Sequence, residues 1–194
     1  MAGESLFACA DARIVELRTP DLPALQRFFE QNADYFVLVN GEPPPPGEAE
    51  EEMHGELPTG WPFTKKWIIG YVGADGELVA MANVVSDLLA PHVWHVGLYI
   101  VAPALRGSGA AARWYGALES WMRASGARWI RLGVVAGNAR AERFWQARGY
   151  RELRVRTGVE MGVRVNDVRV LMKPLAGGTA ADYLELVPRD RPDA

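Results

Sequence analysis

Residues 101–112, Val-Ala-Pro-Ala-Leu-Arg-Gly-Ser-Gly-Ala-Ala-Ala, constrain the chain more than any other segment. Residues 93–101 are β-branched and apolar, whereas those after Gly109 repeat apolar side chains at helical spacing as far as Trp121 and Met122. A strand therefore passes into a helix across a turn almost devoid of side chains. Gly107 and Gly109 let backbone approach a ligand closely, and the first amides of the helix lack intrahelical acceptors. Such a terminus suits a pyrophosphate.

The rest of the chain reads as one α/β (α+β) domain. A strand at 12–17 is followed by a helix at 22–31, opened by Thr19-Pro20-Asp21. Four prolines, Pro43 to Pro46, predict an extended linker before a second helix at 48–57. Runs at 66–73 and 78–85 flank Asp75-Gly76, a strong hairpin signal. A third run at 92–101 joins that sheet, and a helix to 124 and a strand at 128–135 make one βαβ passage. Asn138 opens another helix that stops at Gly149, and strands at 150–156 and 167–175 complete the sheet. The domain spans 1–176, and 177–194, with a Gly-Gly hinge and two late prolines, reads as a flexible or loosely packed tail.

Composition narrows the partners. A net charge of −3 argues against a nucleic-acid binder, which would be basic. Cys9 is the only cysteine, which excludes an internal disulfide and multi-cysteine zinc sites and fits a reducing cytoplasm. His54, His92 and His95 form no metal signature. No apolar run is long enough for a bilayer, and Glu4 and Asp11 stand where a signal peptide carries positive charge, so the mature chain is expected to begin near Met1.

Gly107-x-Gly109-x-x-Ala112 formally satisfies the dinucleotide fingerprint, but that motif needs a carboxylate after the next strand. Val135 is followed by Ala136, Gly137 and Asn138.

The strand and helix order, together with Val101-x-Pro103, Arg106-x-x-Gly109-x-Ala111 and the later Asn138, Ala141, Phe144-Trp145 and Gly149-Tyr150, resembles the GNAT superfamily of acyl-coenzyme A-dependent N-acyltransferases. The resemblance covers most of the chain. It implies a mixed, mostly antiparallel sheet flanked by helices, with a splayed central strand pair. Acetyl-CoA is the implied co-substrate. Its pyrophosphate would lie on the amides of Arg106, Gly107, Ser108, Gly109, Ala110 and Ala111, and its pantetheine arm beside Ile100 and Val101, pairing as a short added strand. Asn138 would bond near the cofactor as well as cap its helix, Arg143 would reach the phosphates, and Trp145 would pack against the arm or fill the core.

The implied reaction is direct attack of an amine on the thioester within a ternary complex, since no cysteine is placed by motif for an acyl-enzyme. An alkylammonium with pKa about 10.4 costs roughly 4–5 kcal/mol to present neutral at pH 7, so a base is useful. Many relatives carry a glutamate where this chain has His95. Imidazole retains that chemistry, and the bland alternative is a sheet histidine satisfied locally. Trp145 stands where many relatives place the tyrosine that protonates the thiolate, which leaves Tyr99 as a candidate acid. Tyr150 belongs to the core.

On the acceptor side, Phe28, Phe29, Tyr35, Phe36, Trp61 and Phe63 lie among Glu48, Glu50, Glu51, Glu52 and Glu56. This suits a cation with an apolar body, although glutamate runs are commonly solvated and phenylalanines commonly core. The expected acceptor is a primary amine of a small molecule or peptide, with no nucleic acid and no membrane, and the resemblance allows a homodimer. The competing reading is an acyl-CoA-binding sensor without turnover.

Overall fold

The computed structural model describes residues 4–193, so Met1 and the expected start of the chain lie outside the described residues. A seven-stranded sheet runs in the order β1 (Arg13–Glu16), β2 (Lys65–Val72), β3 (Leu78–Ser86), β4 (Val93–Val101), β5 (Trp129–Val135), β7 (Arg164–Pro174), β6 (Arg151–Met161). Every neighbouring pair is antiparallel except β4 and β5. The mixed fold with helices on both faces follows the expectation.

The hairpin between β2 and β3 forms where Asp75-Gly76 predicts it. Gly76 sits at φ +85°, and Asp75 Oδ1 accepts from the Glu77 amide at 3.1 Å. Both faces of β2 and β3 are largely covered, which explains their near-continuous apolar runs.

One face packs on α4 (Ala110–Ala124) and α5 (Ala139–Ala147), with Trp114, Tyr115, Leu118 and Trp145 against Val84, Val96 and Leu132. The other face packs on α1 (Leu22–Gln31), α2 (Ala33–Asn40) and α3 (Glu48–His54), with Leu25, Phe28, Phe29 and Phe36 against Met81 and Ile100.

Four local expectations change. The sequence reading has no helix at 33–40, because Asp-Tyr-Phe-Val-Leu-Val is apolar on all sides and shows no helical stripe; left-handed Gly41 at φ +87° ends it. The helix predicted at 48–57 stops at His54 before Gly55. The two last strands reach further and join in a tight hairpin around Gly162, φ +56°.

The fourth change concerns the tail, which packs instead of hanging loose. Thr179 and Asp182 form a reciprocal capping box that starts α6 (Ala180–Leu186), whose Tyr183 packs with Val187 against Val93, Trp129 and Met172. Asp190, fully buried, accepts from Arg131 Nε at 2.7 Å, Arg131 Nη2 at 2.8 Å and the Tyr183 hydroxyl at 2.7 Å. A buried carboxylate with three donors holds the tail down.

Candidate active site

β4 and β5 pair only from Val93 with Trp129 to Val96 with Leu132. Beyond that point each strand continues without the other, and the sheet opens into a V. Gly97 is the extra residue of a bulge opposite Asn83 and Val84, which bends β4 away. The expected splay is therefore present, and the β5-facing edge of Leu98 to Val101 is left without a strand partner.

A cleft of about 520 Å³ opens at this V, between Tyr99, Ile100 and Val101 on one side and Asn138, Phe144 and Trp145 on the other. The glycine turn forms its end. Gly107 and Gly109 adopt φ +81° and +83°, and a Cβ on Gly107 would meet nothing within 4 Å.

Of the six amides expected to face an anion, three are otherwise engaged. The Arg106 amide donates to Pro103 O, Ser108 to Leu105 O and Ala110 to Ser108 Oγ, because a 3-10 turn at Pro103–Leu105 folds under the loop. The amides of Gly107, Gly109 and Ala111 have no acceptor among the described residues. The amides left free are thus alternate ones along the loop.

The Arg106 side chain turns away from those amides. Its guanidinium pairs with the Asp34 carboxylate and donates to Asn32 Oδ1 at 2.8 Å, while Nε donates to Val101 O at 3.3 Å. Arg106 beside Asp34 holds that carboxyl below the usual range. Arg106 therefore ties the start of α2 to the end of β4 and to the loop, and its side chain acts as a strut.

Asn138 caps α5, its Oδ1 accepting from the Ala141 amide at 3.2 Å, and it lines the cleft. Arg143 and Arg140 line the same wall. Arg140 and Asp34 were missed in the sequence; Arg140 shares a face of α5 with Arg143 at i, i+3 spacing, the one signal that could have found it.

Trp145 is both core and wall, with ring centroids 5.0 Å from Tyr115 and 5.2 Å from Tyr150. Tyr150 is buried against Tyr115 through their hydroxyls, as core. Tyr99 lines the cleft, but its hydroxyl donates to Ala111 O at 2.8 Å, and burial pushes its pKa well up. It keeps its proton and gives a hydrogen bond to backbone.

His95 lies on the face opposite α4 and α5, paired with Val85 and Arg131. Its Nδ1 is buried without a partner, and burial together with Arg131 lowers its pKa to about 3. The ring is neutral at physiological pH and a weak base.

A stronger base stands on the same face. Glu52 of α3 accepts from Asn83 Nδ2 at 2.6 Å, which brings its carboxylate to the strand opposite the Gly97 bulge. Burial raises its pKa to about 7, opposed by Asn83 and Lys66 and assisted by Glu48 and Glu51. Sequence reading missed its separate role because it sits inside a glutamate run. Of the aromatics expected on this side, Phe28, Phe29 and Phe36 are core and Tyr35 reaches the cleft.

A glycine turn with free amides beside a parted parallel strand pair frames the site. The family whose model matches residues 16–150 is the acetyltransferase (GNAT) family, and the chain belongs to it. The fold agrees with a GCN5-related N-acetyltransferase from Kribbella flavida at 22% identity, covering 85% of this chain and 98% of that one with TM-score 0.62. It also agrees with the ribosomal-protein-S18-alanine N-acetyltransferase from Escherichia coli at 16% identity, 87% and 97% coverage and TM-score 0.62. A spermidine N-acetyltransferase from Vibrio cholerae in complex with CoA and spermine matches at 16% identity, 85% and 96% coverage and TM-score 0.64. No curated protein matches the chain. Among the described residues no helix is long and apolar enough to cross a membrane, and no three His, Cys, Asp or Glu groups are placed to hold a metal.

Proposed function

We propose that the chain is an N-acetyltransferase that moves an acetyl group from acetyl-CoA to a primary amine by direct attack in a ternary complex. The observation that carries this reading is the parting of β4 and β5 after Val96 and Leu132, beside the free amides of Gly107, Gly109 and Ala111. Those amides suit a pyrophosphate, and Arg140 and Arg143 suit its flanking phosphates. The unpaired edge at Ile100 and Val101 suits an extended amide-bearing arm, as strand addition does. Trp145 packs beside that arm. A reducing cytoplasm fits the single free Cys9.

Acetyl-CoA, when bound, supplies the thioester carbonyl at the V. The acceptor arrives on the opposite face, where Gly97 is exposed and Glu52 stands across from it on Asn83. Glu52 takes a proton from the ammonium, the neutral nitrogen bonds to the carbonyl carbon, and the C–S bond breaks as the second nitrogen proton passes through water to the departing sulfur, giving the amide and a free thiol. A carboxylate with pKa about 7 is matched to that task at neutral pH, whereas His95 at about 3 serves as a neutral hydrogen-bonding group. A thiol of pKa about 8.5 is a tolerable leaving group without an enzymic acid.

Calorimetry with acetyl-CoA, followed by thiol release across a panel of amines, tests the proposal. Binding with amine-dependent thiol release is the expected result. Binding without release would leave a sensor, and no binding would overturn both.

A further inference from the structure

The sheet face opposite α4 and α5 is not fully covered. Its middle lies between α1 to α3 at one end and the docked tail at the other. Gly97 on β4 and Gly133 on β5 are the first residues past the last paired ones, Val96 and Leu132, and both are exposed in otherwise buried strands. They form a floor without side chains at the point where the strands part. Among the described residues, three of the four buried side-chain atoms that lack a hydrogen-bond partner belong to this face: Asn83 Oδ1 on β3, His95 Nδ1 on β4 and Arg154 Nε on β6. Buried polar atoms are nearly always paired, so three orphans on one face mark a groove built for a polar occupant.

The two flanks of the groove differ in charge. On the β3 side, Glu52 is held by Asn83. On the β5 to β6 side, burial depresses the Arg189 guanidinium, and Arg131, Arg156 and Arg154 lie close enough to add to that effect, opposed by Asp190. Asp190 is already saturated by Arg131 and Tyr183. Arg154 gives Nη1 to Arg189 O at 3.0 Å and keeps its Nε orphaned, while Arg189 lies over the Trp61 ring, 4.1 Å from its centroid. Arg156 and Arg189 make no salt bridge among the described residues. Gathering cations around a carboxylate that cannot neutralise them is unfavourable unless an anion completes the set.

We infer that the acceptor carries a carboxylate as well as its amine, the amine directed to Glu52 and Asn83 and the carboxylate to Arg154, Arg156 and Arg189. This rests on the acetyl-transfer reading above and names the substrate class of the same site. The planar guanidinium fork matches a carboxylate in two parallel hydrogen bonds, which a neutral carboxamide cannot reproduce. Opposite charges at the two ends also fix the direction in which a small molecule lies, so that its nitrogen rather than its acid meets the parted strands.

The test is a series of ω-amino acids of increasing length, each paired with its primary amide, with acetyl-CoA affinity measured on the same preparation. At the length that spans the groove, the acid is expected to exceed its amide by about tenfold or more in kcat/KM. Arg156→Gln should raise KM for the acid, with kcat little changed, and bring the acid-to-amide ratio toward one; Arg156→Lys should restore part of it. Equal use of acid and amide at every length, or a ratio untouched by Arg156→Gln, overturns the inference while leaving acetyl transfer intact. Failure of acetyl-CoA to bind counts against the acetyl-transfer reading instead. If no amine turns over, calorimetric affinity for acid against amide decides: a tenfold preference that Arg156→Gln removes supports the groove, and equal or absent binding of both overturns it.

Discussion

Glu52 Oε1 accepts a 2.6 Å hydrogen bond from Asn83 Nδ2, a contact that draws one carboxylate of an otherwise solvent-facing run onto the strand opposite the sheet's bulge. Burial and its neighbours Glu48 and Glu51 favour the protonated form, while Lys66 and Asn83 oppose them, and the balance lies near pH 7.

Turnover should therefore rise with pH through an apparent pKa of about 7, because the base works when ionised. Glu52→Gln should lower kcat about a hundredfold or more and remove that limb. His95→Gln should leave the limb in place, since a group with pKa about 3 does not titrate there. A pH profile of kcat/KM checks both. The same raised pKa makes stability fall as pH rises from the ordinary glutamate value toward 7 and level off above it, because the folded state binds the extra proton.

Gly109→Val should weaken acetyl-CoA binding at least tenfold. Position 109 needs φ +83°, which a β-branched residue resists, so the turn must rearrange and its free amides lose their common direction. Calorimetry reads the affinity, and circular dichroism should still report a folded chain.

Tyr99→Phe should leave kcat within a few-fold of wild type and cost about 1 kcal/mol of stability, the worth of the bond to Ala111 O. A loss of a hundredfold in kcat would restore Tyr99 as the acid.

Asp190→Asn should destabilise the fold by about 3 kcal/mol or more, because Arg131 would be left buried without its counter-charge. Arg131 and Tyr183 hold the Asp190 carboxyl below its ordinary value against the opposing cost of burial. A depressed carboxylate contributes stability above its unfolded pKa of about 3.9 and loses it as pH falls through the folded value, so the difference between wild type and variant should shrink below pH about 4. Urea titrations at neutral and acid pH measure it.

Much of the fold and the glycine turn was legible because both depend on local rules. Strand runs, the Asp75-Gly76 hairpin, the helix caps and the glycines at 107 and 109 each act within a few residues. The helix at 33–40 was not legible, since it is apolar on every side and its ends depend on Asn32 and Gly41. The tail was misread for a related reason. Its prolines and charges look like a solvated end, and only the approach of Arg131 from β5 makes Asp190 a buried anchor.

The site divides in the same way. By itself the sequence determined the turn at Gly107 and Gly109, the strand that leads into it and the Asn138 cap, because backbone conformation and capping are set by residue type at fixed spacing. Tertiary structure alone decided which amides stay free, where Arg106 points, and which of several glutamates reaches Asn83. Those outcomes depend on burial and on partners far away in the chain, as Asn83 is from Glu52 and Asp34 from Arg106, and no local pattern records such long-range pairings.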